Sequence, residues 1–302
     1  MRLRRSLLFV NGNDNQKFDA AVKSDADAIV LELEDGIPAS QKEGARENVY
    51  RLLTECDFRG KEKVVRINPY NTRWGKQDVE KLLPARPDAF RLTKCEIPKQ
   101  IQELDEIVSK FEKENCLPDR SIEFILTIES PLGIINAYEL ATSCARVTAI
   151  GLGAADFTCA LDVDRIIEKD TLQLLYVKQK LVVCGKAAGV QVIDTTVVSQ
   201  ENVDDFVKYD TDFIRTLGFT GRSVSDLRHI AIVNGCFSPS EQQLLLAKQA
   251  ITAYNSAVEQ GRSDVFVDGV YLDPGIVDRY KRMIVYAKLI QQKTGKYRDF
   301  DF

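Results

Sequence analysis

In Phe124-Ile125-Leu126-Thr127-Ile128-Glu129, a short apolar run ends in a carboxylate, and this is the strongest structural signal in the chain. An apolar run with almost no polar interruption is typical of a parallel strand that is covered on both faces. A buried charge is costly unless it is paired or bound to a cation. Glu129 therefore indicates a polar site at the C-terminal end of this strand.

The same arrangement recurs at the ends of other apolar runs. The charged residues that follow such runs are Glu34-Asp35, Arg66, Lys94, Asp156 and Asp194. A series of charges at one relative position predicts a shared polar centre. Parallel α/β barrels build their sites at this end of the strands.

Strand-like runs alternate with amphipathic helical runs over most of the chain. The strands are predicted to begin near Ser6, Asp27, Val64, Ala89, Glu123, Val147, Val190 and Asp212. Helices are predicted over residues 15–24, 39–53, 99–111, 131–143 and 171–188, with Ser40 as a candidate N-cap of the second. Roughly eight β-α units in about 230 residues favour an α/β fold of the (β/α)8 TIM barrel type, with an open doubly wound sheet as the alternative.

The C-terminal quarter departs from this alternation. Pro239 opens a predicted helix, residues 265–272 predict a hairpin, and Asp273 starts a final helix. We therefore expect a TIM barrel catalytic domain over residues 1–235 and a C-terminal helix–hairpin–helix extension over residues 236–302. The extension could pack on its own barrel or contribute to a neighbouring subunit's site.

The composition excludes several classes of protein. The 302 residues carry a net charge of −4, which argues against nucleic-acid binding. No apolar run reaches the roughly 18 residues that a membrane span needs, so no membrane association is expected. Seven widely spaced cysteines predict free thiols in a reducing cytoplasm, and a single histidine argues against a histidine metal site or a Ser-His-Asp triad.

Glu129 and Asp156 are the predicted metal ligands. Two carboxylates that converge at neighbouring strand ends repel each other unless a hard cation joins them. Mg²⁺ prefers oxygen ligands and commonly takes one or two protein carboxylates together with water and substrate oxygens. The alternatives are a surface or helix N-terminal carboxylate before Pro131 for Glu129 and a helix N-cap for Asp156.

Four further charges are candidates for catalysis. Arg66 lies within a strand, and its fork geometry suits a substrate carboxylate; the alternative is an ion pair with a barrel glutamate. Lys94 could support the same anion or be a solvated lysine. Glu34 and Asp35 are predicted to hold metal-bound water or to tune Arg66 and Lys94.

Gly151-Leu152-Gly153-Ala154-Ala155-Asp156 matches a dinucleotide-binding loop only in part, because the third glycine is missing. We interpret its glycines as positions that let the backbone approach the site closely. Asp273 has the sequence context of a turn or a helix cap.

In these stretches the chain resembles the citrate lyase β-subunit (citryl-thioester lyase) family, within the wider group of 2-keto-acid aldolases and CoA-ester lyases. The resemblance covers nearly the whole chain in order and spacing. The matching stretches are residues 5–10, 26–35, 66–72, 91–94, 128–130, 153–156, 217–221 and 268–273.

This resemblance implies a TIM barrel that oligomerises, commonly as a homotrimer. It implies Mg²⁺ held by Glu129 and Asp156, and a 2-keto acid that chelates the metal while Arg66 binds its carboxylate. It further implies substrate binding at Gly153 and Ala154, and an acid/base role for Asp273 in a neighbouring subunit's site.

The activity that the resemblance implies is Mg²⁺-dependent carbon–carbon cleavage. A citryl (3-hydroxy-3-carboxyacyl) thioester on CoA or acyl-carrier protein would yield oxaloacetate and an acetyl thioester, with other citrate lyase subunits as potential partners. Malyl-, citramalyl- or β-methylmalyl-CoA lyase activity is an alternative. Asp226-Leu227 stands where the family usually has His-Pro or Asn-Pro, which motivates a second alternative, a non-catalytic keto-acid-binding paralogue.

Overall fold

The computed structural model describes residues 2–169, 171–197, 203–262 and 265–302. These residues form two compact units. The first is Arg4–Asn234, and the second comprises Gly235–Phe302 together with the extreme N-terminus. Within the described ranges, no helix combines the length and the apolar character needed to cross a bilayer.

The first unit is a closed barrel of eight parallel strands in sequence order, in which β8 pairs with β1. The strands are β1 (Ser6–Asn11), β2 (Ala28–Glu32), β3 (Glu62–Arg66), β4 (Ala89–Leu92), β5 (Glu123–Ile128), β6 (Val147–Leu152), β7 (Gln191–Asp194) and β8 (Gly221–Val224). This topology confirms the predicted (β/α)8 TIM barrel.

Helices connect successive strands of the barrel. They are α1 (Asn15–Lys23), α2 (Lys42–Glu55), α3 (Arg73–Leu82), α4 (Pro98–Glu114), α5 (Pro131–Ile135), α6 (Ala137–Ala141), α7 (Ala154–Ala160), α8 (Leu175–Ala188), α9 (Val203–Leu217) and α10 (His229–Cys236). Residues 131–143, predicted as one helix, form the two short helices α5 and α6.

The prediction of a last strand near Asp212 is wrong, because that residue lies inside α9. Val207 and Ile214 are buried seven residues apart, and Lys208 pairs with Asp212 four residues on, which is helical spacing. Ser40 is also not the N-cap of α2. It lies in a 3-10 turn, and Gln41 precedes the helix without a side-chain cap.

The barrel interior contains a completely buried apolar layer. Because strand side chains alternate between the two faces, inward-facing residues of β1 to β7 contribute to it. The layer consists of Leu7, Ala28, Val30, Val64, Ala89, Ile125, Ala149 and Ile193, with Phe9 packed against it.

A polar network lies at the N-terminal end of the strands. Arg4 is 1% exposed, and its Nη2 lies 2.6 Å from Glu62 Oε1 and 2.5 Å from Glu123 Oε2. Arg4 Nη1 donates to Thr148 Oγ1 at 2.8 Å. The basic N-terminus therefore supplies a buried cation that joins β3, β5 and β6.

The second unit contains a helix, a hairpin and a helix, in the order predicted for the extension. They are α11 (Glu241–Glu259), β9 (Phe266–Val267), β10 (Val270–Tyr271) and α12 (Pro274–Thr294). Ser240 begins α11 with a capping box completed by Gln243. Leu272, Val277 and Tyr280 belong to the core of this unit.

Replacing Arg4 by methionine should lower the free energy of unfolding by about 3–5 kcal/mol, because it removes the buried cation that contacts the carboxylates of Glu62 and Glu123. Urea unfolding followed by circular dichroism measures this change. Arg51→Met is the matched control, since Arg51 is exposed on α2, and its effect should stay within about 0.5 kcal/mol. Equal midpoints for the two variants would show that the network does not stabilise the barrel.

Candidate active site

The carboxyl ends of five neighbouring strands place charged side chains at one end of the barrel. These are Glu34 and Asp35 after β2, Arg66 at the end of β3, Lys94 after β4, Glu129 after β5, and Asp156 after β6. The contacts described below join all six into one cluster, so the prediction of a shared polar centre is correct for them.

Glu129 and Asp156 form a pair of adjacent carboxyl groups within hydrogen-bonding reach of each other. Glu129 is buried, and Lys94 donates its backbone N–H to Glu129 Oε1 at 2.7 Å. Burial raises the pKa of Glu129 to about 8, and the charges of Glu34 and Asp156 act in the same direction, against the hydrogen bond from Lys94. This pair therefore holds a proton or a cation at neutral pH.

Neither carboxylate is a helix cap. The side chain of Ser130 caps α5, so Glu129 lies outside that helix. Gly153 occupies the N-cap position of α7, and Asp156 lies within the first turn. Neither carboxylate therefore acts as the N-cap of the helix that follows it.

Lys94 connects the two halves of the cluster. Its backbone is left-handed, with φ of 53°, which is uncommon for a residue with a side chain. Its amide binds Glu129, while its Nζ lies 3.1 Å from Glu34 Oε1 and 3.8 Å from Asp35 Oδ1. Burial would lower the pKa of the Lys94 ammonium, but the Glu34 carboxylate outweighs that effect and the pKa is raised. Lys94 is therefore a charged member of the site.

Arg66 pairs with two glutamates of the barrel. Its Nε binds the Glu32 carboxylate, and its Nη2 lies 3.2 Å from Glu34 Oε2. The guanidinium also lies over the ring of Phe9, 5.3 Å from the centroid. The alternative of an internal ion pair is thus realised in this structure. Because Arg66 remains partly exposed, it is still accessible to a ligand carboxylate.

Glu34 has the hydrogen-bonding capacity to hold a ligand or water. Both of its carboxylate oxygens are buried, and no described residue donates an aligned hydrogen bond to them, although Arg66 and Lys94 lie at ion-pair distance. Burial raises the pKa of Glu34, and the two cations offset this only in part. A buried acceptor without an aligned donor is a binding position for an incoming polar group.

Buried polar contacts fix the loop that carries Glu34. Lys42 Nζ donates to the carbonyls of Leu33 and Glu34, both at 2.9 Å, and to Asn68 Oδ1 at 2.6 Å. Asn68 in turn donates to Asp78 Oδ2 at 2.7 Å. These bonds tie the loop after β2 to the loop after β3, and they hold Glu34 beside Arg66.

Gly153 gives Glu129 the room that it occupies. A Cβ at this position would stand 2.3 Å from Glu129 Oε2 and 2.6 Å from Glu129 Cβ. Gly153 is also fixed by a hydrogen bond from its N–H to the Ile128 carbonyl at 3.0 Å. The glycine is therefore required by a close approach, as the sequence predicted. The substrate-binding roles of Gly153 and Ala154 stay predictions.

Two of the sequence candidates lie elsewhere. Asp194 faces out of the barrel because its neighbour Ile193 faces in, and it pairs with Lys178 at 3.1 Å and Arg222 at 2.8 Å. The prediction that it shares the centre is wrong. Asp273 belongs to the second unit, where its carboxylate accepts the Ile276 N–H at 2.8 Å and caps α12. Its acid/base role in a neighbouring subunit stays a prediction.

Sequence reasoning missed two residues of the site, Glu32 and Arg91. Both are buried charges carried by strand residues: Glu32 is the last residue of β2, and Arg91 lies within β4. Glu32 also accepts the backbone N–H of Glu34 at 2.5 Å. A charge within an otherwise apolar run is the sequence signal that indicates such residues, as it does for Arg66.

The donor set at Glu129 and Asp156 fits a hard divalent cation. It consists of carboxylate oxygens, and no group of three or more His, Cys, Asp or Glu side chains occurs in the described ranges as a rival metal site. Mg²⁺ commonly takes one or two protein carboxylates and completes its shell with water and substrate oxygens, so two carboxylates are a sufficient donor set. Of the two, Glu129 carries the raised pKa that a cation would reverse.

Replacing Gly153 by alanine should displace the Glu129 carboxylate and weaken Mg²⁺ binding by about 10-fold or more, because the added methyl group occupies the position of Oε2. Isothermal titration calorimetry with Mg²⁺ measures this loss. Gly44→Ala is the control, because a Cβ at Gly44 in α2 meets nothing within 4 Å. Equal Mg²⁺ affinity in both variants would contradict the placement of the metal at Glu129.

Comparisons with known proteins find relatives that match most of this chain. The chain is 32% identical over 286 residues to the citrate lyase subunit beta of Leuconostoc mesenteroides subsp. cremoris, covering 95% of this chain and 94% of the relative. It is 28% identical over 300 residues to the mitochondrial citramalyl-CoA lyase of Homo sapiens, covering 96% and 87%. The citrate lyase beta subunit from M. tuberculosis, solved with oxaloacetate and magnesium, superposes with a TM-score of 0.66 at 22% identity, covering 79% and 100%.

The sequence profile of one family matches residues 5–226, which span the strands of the barrel and every member of the site cluster. This chain therefore belongs to the HpcH/HpaI aldolase/citrate lyase family.

Proposed function

We propose that this carbon–carbon lyase uses Mg²⁺ to cleave a citryl-type thioester into oxaloacetate and an acetyl thioester. The observation that carries the proposal is the pair of carboxyl groups of Glu129 and Asp156, which meet beside Arg66 and Lys94 at the carboxyl end of the barrel. The citrate lyase beta subunits among the relatives, and the magnesium and oxaloacetate in a solved neighbour, support it.

Glu129 and Asp156 would hold the metal in this scheme. Mg²⁺ bound there would supply Lewis acidity to the hydroxyl and the adjacent carboxylate of the substrate. Arg66 binds and orients the substrate carboxylate through its charged fork. Because a bound metal would supply the Lewis acidity, Lys94 does not need to form a Schiff base with the substrate. Lys94 acts as a fixed positive charge.

The cleavage step needs a base for the hydroxyl proton. Glu34 is the proposed acceptor, because its buried oxygens receive no aligned hydrogen bond and its pKa is raised by burial. As the O–H electrons form the ketone, the carbon–carbon bond breaks and its electron pair passes to the carbon next to the thioester carbonyl, which gives the thioester enolate. Lys94, supported by Asp35, stabilises this negative charge until that carbon takes up the proton held by Glu34, which completes the acetyl thioester and restores the Glu34 carboxylate.

The reaction is tested by offering citryl, citramalyl and malyl thioesters on CoA and on acyl-carrier protein, with Mg²⁺ or with a chelator, and measuring keto-acid release. We expect Mg²⁺-dependent release of oxaloacetate. Glu129→Gln should lower turnover by about 1,000-fold or more, because it removes a metal ligand.

Glu103→Gln is the matched control, since Glu103 is an exposed residue of α4 in a loose pair with Lys99 at 3.9 Å, and it should retain wild-type turnover. Wild-type rates for Glu129→Gln in the presence of chelator would refute the metal mechanism. Binding of Mg²⁺ and oxaloacetate without any turnover would instead identify a non-catalytic keto-acid-binding protein. The homotrimer and the partner subunits stay predictions.

Mg²⁺ affinity should rise with pH. With its pKa near 8, Glu129 is protonated below that pH, and the metal must displace its proton. We expect affinity to increase about tenfold per unit between about pH 6 and pH 8 and then to level off. Calorimetry in buffers of different ionisation enthalpy should show about one proton released per Mg²⁺ at pH 7. Affinity that does not change across this range would contradict the protonated pair.

A further inference from the structure

Arg91 is a buried cation inside the barrel that the proposed chemistry does not use. It is 3% exposed and lies on β4, in register with Arg66 on β3. Its Nε donates to Thr127 Oγ1 on β5 at 3.0 Å, and its Nη1 donates to Ser223 Oγ on β8 at 3.0 Å. The side chain therefore crosses the interior from β4 to the opposite strand.

Arg91 differs from the other buried arginines of the described ranges in having no carboxylate partner. Its hydrogen-bond acceptors are the two hydroxyls, and no carboxylate of a described residue lies within 4.0 Å. By contrast, the other five each have a carboxylate within 2.9 Å; the pairs are Arg4–Glu62, Arg5–Asp27, Arg46–Asp78, Arg146–Glu112 and Arg222–Asp194. Burial lowers the pKa of Arg91 to about 10, so it is charged at neutral pH. The charges of Glu129, Glu32 and Glu34 act on Arg91 from a distance, but none of them pairs with it directly. A buried charge without a direct partner indicates a position for an anionic ligand.

The free end of Arg91 lies beside a residue that has no side chain. Its Nη2 makes no hydrogen bond to a described residue and lies 3.5 Å from the position that a Cβ on Gly151 would take. One face of the guanidinium lies on Phe9, 5.0 Å from the centroid, and Arg66 contacts the same ring. Phe9 is partly exposed, so a ligand that reaches Arg66 also reaches the neighbourhood of Arg91.

Building on the proposed lyase function, we propose that Arg91 binds a second carboxylate of the substrate and so selects a dicarboxylic keto acid. Arg66 and the carboxylate pair already account for the carboxylate next to the reacting carbon. A citryl thioester carries an additional carboxymethyl group at that carbon, whereas a citramalyl thioester carries a methyl group there. The hydroxyls of Thr127 and Ser223 fix the guanidinium so that Nη2 is presented to this group.

The test measures the affinity of the Mg²⁺-loaded protein for oxaloacetate and for pyruvate by calorimetry. Wild type should prefer oxaloacetate. Arg91→Gln should lose about 100-fold in affinity for oxaloacetate, because the second carboxylate loses its charged partner, and keep its affinity for pyruvate. Arg91→Lys should retain part of the preference for oxaloacetate over pyruvate. Arg51→Gln, on the exposed face of α2, should change neither affinity.

Retained pyruvate binding shows that the variant is folded. Equal losses for the two keto acids, or no loss for either, would overturn the role of Arg91.

Comparing kcat/KM for citryl and citramalyl thioesters separates this inference from the proposed reaction. If the wild-type protein binds oxaloacetate through Arg91 but cleaves no thioester, the proposed lyase function is wrong and the inferred role of Arg91 is retained. If both thioesters are cleaved and Arg91→Gln slows them by one factor, the lyase function stands and Arg91 does not determine specificity.

Discussion

Several carboxylates are held at one end of the barrel with too few cations to neutralise them, and the organisation of the site follows from this constraint. Glu32, Glu34 and Glu129 are all buried there. Arg66 and Lys94 compensate the first two in part, and Glu129 keeps a raised pKa. Because buried like charges are unstable together, the site favours a divalent cation at Glu129 and a ligand anion at the arginines.

The two ends of the barrel use the same residue types for different purposes. At the N-terminal end, Arg4 is surrounded by Glu62, Glu123 and Thr148, and the charges are closely paired. At the C-terminal end, Glu34 is buried without an aligned hydrogen-bond donor, and Arg91 is buried without a directly paired carboxylate. A completed network stabilises the barrel, whereas an incomplete one leaves binding capacity for a substrate.

Much of this organisation could be predicted from the sequence, because an apolar run followed by a charge indicates both where a strand lies and which of its ends carries the site. Glu129, Lys94 and Arg66 were found in this way. Arg91 and Glu32 could not be interpreted, because the partner of a charge inside a strand depends on which strands lie opposite it after closure. Asp194 was wrongly assigned to the shared centre, because a shift of one residue along a strand decides whether a side chain faces the barrel interior or the surrounding helices. Asp212 was misassigned because a short apolar run fits a strand as well as a helix.

The apolar layer beneath the site has a consequence for the order of product release. Its residues, from Leu7 on β1 to Ile193 on β7, are fully buried, so this layer separates the site from the N-terminal end of the barrel. If Arg91 binds the keto acid as proposed, the acid would lie against this layer, beneath the fragment that carries the thioester. The acetyl thioester would then depart first and the keto acid second, both through the carboxyl end of the barrel.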